Sequence, residues 1–255
     1  MHRFLVGSVL ACLCGGAVAT SAQLLNTHAG LGAPAVGGGG GGNTIVFVAA
    51  GDIGNNGGSS GTLSGSYSQS NGTNEGLVVC ITGGVIGTDA DDITAVSYDS
   101  ISGSLLTKFA GSPVDSGTRY QYIYYVPLGN TSAGSHTVSI TASSSHYLLS
   151  VVGEYSNIQQ STTPDATVNR AVAAGNDTIP ITTSTTGSWV MLCEQSSGGP
   201  TVADSGDVLR IATAQFANPT LLDSNGTVAP GANNLFIGSG GGSSIITAGA
   251  ALKPG

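Results

Sequence analysis

The chain has 255 residues, 41 of them glycine, a charged fraction of 8% and a net charge of −8. Its few cations beyond Arg3, namely Lys108, Arg119, Arg170, Arg210 and Lys253, are scattered. That excludes a nucleic-acid binder, which needs clustered basic residues to displace counterions from phosphates. Ordinary soluble domains carry about 25% charged residues, so the Ser, Thr, Gly and Asn surface here suits an extracellular or virion β-protein, while the compact Val, Ile and Leu runs exclude a disordered chain.

The basic start Met1-His-Arg3, the apolar run 4–13 and the small residues up to Ala22 describe a secretory signal peptide, with cleavage after Ala19 or Ala22. The run is too short to span a bilayer. Val9-Leu-Ala-Cys12 loosely resembles a lipoprotein processing site. The alternative is a retained peptide that docks a virion protein onto its shell. Residues 23–42 end in six glycines, a flexible tether whose glycine run reaches only about 13 Å. The expected organisation is therefore 1–22 as a signal-like or docking segment, 23–42 as tether and 43–255 as a β domain. Since glycines cannot transmit packing, deleting 1–42 is expected to move the thermal midpoint of the domain by less than about 5 °C in a melting experiment. A larger drop would make the segment integral to the core.

From residue 44 the pattern is strand after strand. Residues 44–50 form a short apolar run, followed by a Gly- and Asn-rich loop over 51–61. Residues 77–81 and 189–193 are apolar on both faces and should be central and doubly covered. Residues 93–98 and 105–109 flank Asp99-Ser-Ile-Ser-Gly103, a hairpin signal. Tyr120, Tyr122, Tyr124 and Val126 share one face of a strand by period two. Further strands are read at 136–141, 147–155, 178–183, 208–214, 235–238 and 245–252, and no segment carries a capped 3.6 period. Close strand spacing without a βαβ rhythm predicts an all-β, antiparallel β-sandwich or jelly-roll-like fold. Two smaller sandwiches dividing near 157–163 fit the same pattern. The predicted core includes Leu77, Val79, Ile81, Val138, Ile140, Leu149, Val151, Trp189, Met191 and Ile246.

The succession Glu75-Gly-Leu77-Val-Val, Ile93-Thr-Ala-Val-Ser-Tyr98, Tyr122-Ile-Tyr-Tyr-Val126, Gly134-Ser-His-Thr-Val-Ser-Ile-Thr141, Gly153-Glu-Tyr-Ser156, Pro164-Asp-Ala166 and Ala248-Gly-Ala-Ala-Leu-Lys-Pro254 resembles an uncharacterised family of β-sandwich modules. These occur in tailed-phage structural proteins and secreted bacterial proteins. The resemblance lies in strand order and turn residues, and it implies fold and setting but no site.

Candidate chemistry is sparse. Gly57-Gly-Ser59-Ser-Gly61 matches the G-x-S-x-G nucleophile pattern, but that motif works on a strand-to-helix turn, and here it sits in a polar loop. His136 and His146 lack metal-ligand spacing and read as surface or edge-strand residues. Asp89-Ala-Asp91-Asp92 reads as a solvated turn, with a calcium loop as the alternative, although it lacks ordered ligand spacing. Glu75, Glu154 and Glu194 are isolated in sequence, whereas a glycosidase needs two carboxylates across a cleft. The Tyr120, Tyr122 and Tyr124 stripe is either a glycan-stacking face or one packed face of a strand. Asn71, Asn130, Asn176 and Asn225 head glycosylation-type triplets that mark exposed turns. With the leader removed, only Cys80 and Cys193 remain, either as a disulfide or as two buried thiols.

These features point to a non-enzymatic structural or display protein on a particle exterior, without catalytic residues, metal or other cofactor. A phage virion component (decoration, fibre or tail-associated) is expected first, with other virion or surface proteins or a second copy as partners. The alternative is a secreted bacterial binding module whose partners are host or environmental glycans.

Overall fold

A computed structural model describes residues 43–58, 60–83, 91–111, 119–172, 176–196, 201–202, 206–213, 219–239 and 245–255. Residues 41–255 form one compact unit, and the readings placed on 1–42 lie outside the described residues. The chain runs through β1 (Val46–Asn55), β2 (Thr62–Gln69), β3 (Glu75–Gly83), β4 (Ile93–Tyr98), β5 (Ile101–Ser102), β6 (Ser104–Gly111), β7 (Arg119–Gly129), β8 (Gly134–Ala142) and β9 (Leu148–Ser156). It continues through β10 (Ala166–Val172), β11 (Asn176–Thr183), β12 (Trp189–Ser196), β13 (Thr201–Val202), β14 (Val208–Ala212), β15 (Pro219–Asp223), β16 (Gly231–Ser239) and β17 (Ile245–Leu252). The described residues contain no helix, and the fold is an all-β stack of antiparallel sheets of the β-sandwich type.

Four sheets pack face to face. An outer sheet β2-β8-β4-β5 covers an inner sheet β1-β9-β3-β7-β6 through a core that includes Leu63, Leu77, Val79, Tyr122, Val138 and Ile140. The other face of that inner sheet packs on a second inner sheet, β10-β17-β12-β15-β14, through Val78, Cys80, Tyr155, Trp189, Met191 and Leu252. The second inner sheet is covered in turn by β11-β16-β13, through Ile179, Ile181, Val190, Leu192 and Leu235. Being covered on both faces explains the unbroken apolar runs of the central strands: every residue of β3 and of β17 is buried. All ten predicted core residues are buried. Each large apolar side chain among them contributes on the order of 1.5 to 3 kcal/mol.

The two halves, divided by the link 157–165, thread their sheets in the same order. Putting β10, β11, β12, β13, β14, β15, β16 and β17 in place of β1, β2, β3, β4, β6, β7, β8 and β9 converts one pair of sheets into the other, with the two-residue β5 left over. One irregularity matches as well. β6 bulges at Leu106 opposite β7, and β14 bulges at Arg210 opposite β15. Contacts between the halves are reciprocal under the same exchange: β1 with β14 and β6 with β10, β9 with β15 and β7 with β17, and β3 with β12. That is an isologous interface within one chain. Strands β3 and β12 correspond to each other, so their crossing lies on the pseudo-two-fold axis.

Several local expectations are corrected. The loop placed at 51–61 begins later, because β1 continues to Asn55, and a Cβ on Gly51 would stand 2.8 Å from the Tyr67 ring that packs there. The hairpin read from 93–98 and 105–109 closes instead on β5, with Ser97 opposite Ser102. The chain then crosses at Gly103 into the inner sheet, where β6 pairs with β7. Gly103 donates to the Val96 carbonyl and lies close to Val126 of the facing sheet, 3.1 Å from where its Cβ would be, so a side chain there would push on Val126. Strands β2, β10 and β15 were not evident in the sequence. β2 turns only Leu63, Tyr67 and Gln69 inward and otherwise carries Ser, Thr and Gly, so its apolar alternation is too thin to register.

Candidate functional site

The tyrosine stripe faces inward, which corrects the stacking-platform reading. Tyr122 is 1% exposed and Tyr124 7% exposed. Both belong to the core between the first outer and inner sheets, and Tyr120 packs against it. The rings lie side by side, with centroids 6.1 Å and 6.5 Å apart, on the inner-sheet strand that β4 and β5 of the outer sheet approach. No sugar can reach the two inner faces.

Of the two cysteine alternatives the structure has the bridge. Cys80 and Cys193 are disulfide-bonded with Cα atoms 5.3 Å apart, and both are fully buried between the inner sheets. They hold corresponding register positions. Cys80 lies opposite Ile123 and Val151, and Cys193 opposite Leu221 and Ala248. The bridge therefore joins a position to its own counterpart, as a link on the pseudo-two-fold axis must.

Ser59 of the G-x-S-x-G match lies outside the described residues, and the segment around it connects two strands, β1 and β2. His136, read as a surface or edge-strand residue, lies instead on β8 between β2 and β4, with its Nδ1 2.7 Å from Asp99 Oδ2. The hydrogen bond to Asp99 raises its pKa, and a hydrogen bond from the Thr137 amide, then one from His136, lowers that of Asp99. His146 departs from the surface reading. It is buried, with Nε2 3.5 Å from Asp92 Oδ1. Asp89 lies outside the described residues. Asp92 is buried rather than solvated, because its Oδ2 accepts hydrogen bonds from the Ser144 amide and hydroxyl. Asp91 pairs with Lys108 and accepts from the Tyr122 hydroxyl. Asn71, Asn130 and Asn225 are exposed.

The structure also brings together what the sequence left apart. Glu75 on β3 and Glu154 on β9 are both 0% exposed and are diagonal neighbours on one face of the inner sheet, Glu154 lying opposite Leu77, two residues along from Glu75. Glu194 stands apart on β12. The Tyr67 hydroxyl donates to Glu154 Oε2 at 2.8 Å, and the Ser70 amide donates to the same carboxyl at 3.2 Å. The Gln69 amide donates to Glu75 Oε2 and to Thr131 Oγ1, both at 2.5 Å. Burial pushes the Glu75 carboxyl up, and Glu154 adds to the push against the lowering by Gln69. Burial, then Glu154, likewise raises the Tyr67 and Tyr98 hydroxyls. Sequence spacing could not reveal this pair, since 79 positions separate its members and only strand order makes β3 and β9 neighbours.

Two further carboxylates do structural work. Asp165 gathers the 184–188 turn through the amides and hydroxyls of Ser184 and Thr185 and the Ser188 hydroxyl. Burial opposes ionisation there, but these hydrogen bonds prevail and hold its carboxyl well below the usual range. Asp223 Oδ2 accepts from Arg210 Nε at 2.7 Å and from the Tyr155 hydroxyl at 2.9 Å.

Among the described residues, no cluster of three or more His, Cys, Asp or Glu is arranged to hold a metal ion. No family model, curated protein or solved structure matches the chain.

Proposed function

We propose that the chain is a non-enzymatic structural or display protein exposed on an exterior, oxidising side of its producer. The observation that carries this reading is the Cys80–Cys193 bridge buried between the two inner sheets. Disulfides persist in exported and surface proteins and are rare where glutathione keeps thiols reduced. A bridge with both sulfurs buried has to form as the two sheets come together, so the chain folds where oxidant is present. The outward face of the first outer sheet agrees with an exterior role. Thr62, Ser64, Ser66 and Ser68 of β2 lie across from Thr141, Ser139, Thr137 and Ser135 of β8, an uncharged hydroxyl surface. The acid pair of Glu75 with Glu154 is shielded from solvent, which is unsuited to substrate access.

Two settings share this role. Attachment to a phage virion draws on the family resemblance and the glycine tether. Export to a cell surface is favoured by the disulfide, and without the tyrosine face it needs no glycan ligand. Intact-mass and N-terminal analysis of the protein from its native source tests the proposal. A disulfide-containing chain starting near Thr20 or Gln23 supports export, and an intact 1–22 segment in purified particles supports virion docking. Reduced cysteines in a cytosolic fraction would overturn both.

A further inference from the structure

The buried acid pair is not required by the fold, because the chain contains the same fold twice. Leu77, opposite Glu154, corresponds to Val190, opposite Ala251, so Glu154 occupies the place that Ala251 fills in the second half. Glu75 likewise corresponds to Ser188, both lying five residues before a bridged cysteine. The second half holds its sheets together with neither carboxyl. Burying two carboxyl groups in contact opposes folding unless their joint charge is reduced. Two carboxyls this close favour holding a single proton between them. Glu75 Oε1, buried without an acceptor or donor of its own, is the atom that would carry that proton toward Glu154.

We infer that Glu75 and Glu154 form a proton-operated latch that clamps the end of β2 onto the inner sheet in mildly acidic surroundings and loosens it as the shared proton leaves. The pair sits on the inner sheet, while its other partners lie on or just beyond the outer strand β2: Tyr67, Gln69 and the Ser70 amide. The remaining titratable groups facing it are Tyr98 of β4, with Asp99 beyond it, and His136 of β8, which is tied to Asp99. β7 contributes Val126 and Leu128 to the same core. Once both carboxyls are ionised, their repulsion acts on the residues that seat β2. The direction follows from linkage. A carboxyl held above its unfolded value contributes stability that is fully present below that value, about 4.3 for Glu, and lost as pH rises through the folded value. This inference is independent of where the protein resides.

The test uses the full chain, with Glu75→Gln and Glu154→Gln as separate variants, so that failure of one to fold leaves the other. Thermal midpoints from pH 4 to 8 are compared variant by variant, which cancels the other titrating groups. The wild type is expected to lose at least 4 °C relative to Glu75→Gln between pH 4.5 and 8. Hydrogen exchange at residues 66–70 should accelerate over the same range beyond the intrinsic pH effect, and the glutamine variant should abolish the excess. Infrared spectra should show a protonated carboxyl band at pH 4.5 that Glu75→Gln removes. A pH-independent difference with no such band overturns the latch. So does a wild-type midpoint at pH 8 that calcium chloride raises by several degrees while the variants do not respond, since a cation would then neutralise the pair.

Discussion

Replacing both Cys80 and Cys193 with alanine is expected to lower the stability of the domain by about 4 to 5 kcal/mol, the largest effect of any change that leaves the sheets intact. The bridge closes a loop across a sequence separation of 113. In the chain-entropy model a loop near that length restricts the unfolded ensemble by about this amount. For a domain of this size each kcal/mol moves the midpoint by about 2 to 4 °C, so the melt should shift down by about 8 to 20 °C. The location of the bridge adds a kinetic expectation. Since β3 and β12 cross on the pseudo-two-fold axis, the bridge ties the two halves at the centre of their shared interface, and opening either edge leaves the centre joined. Native protein should therefore resist mild reductant, and denatured, non-reduced chain should titrate no thiol from this pair. A double-alanine midpoint within about 3 °C of the wild type would show that the inner-sheet core alone sets the stability.

What the sequence revealed followed the strength of the apolar pattern. Residues 77–81 and 189–193 announced doubly covered strands because both faces had to be apolar, and both became centres of inner sheets. The outer strand β2 escaped notice because its outward positions are Ser, Thr and Gly and only three residues point in. The duplication was hidden for a related reason. Its two copies share strand order and the bulge of β6 and β14 while their side chains differ, as Tyr155 corresponds to Leu252 and Glu154 to Ala251. Burial, not residue type, separated the readings of the tyrosine stripe, since a period-two aromatic pattern marks a strand face without saying which side is covered. The Glu75–Glu154 contact depends on which strands become neighbours, which no local pattern encodes.

Asp223→Ala is expected to destabilise the protein by about 3 to 5 kcal/mol, because it leaves a buried cation without its partner. Arg210 on β14 lies against Asp223 of β15 and holds its guanidinium 4.1 Å from the centre of the Phe47 ring of β1. Tyr155 of β9 closes the group through its hydroxyl on the same carboxylate oxygen. The cluster thus ties one edge of the interface between the halves. Its counterpart at the opposite edge is apolar, for the matching bulge holds Leu106 where the second half has Arg210, and Tyr125 stands where Asp223 does. Leu106 and Tyr125 both lie in the inter-sheet core. The fold therefore accepts either solution at this position, and the danger lies in keeping half of the charged one. Tyr155→Phe removes one hydrogen bond and should cost about 1 kcal/mol. The double change Arg210→Leu with Asp223→Tyr copies the solution of the opposite edge and should recover at least half of the Asp223→Ala loss in urea denaturation, since charge pairs replaced together by apolar residues are often near neutral. A double variant no more stable than Asp223→Ala would mean that the ion pair supplies net stability that the apolar edge cannot replace.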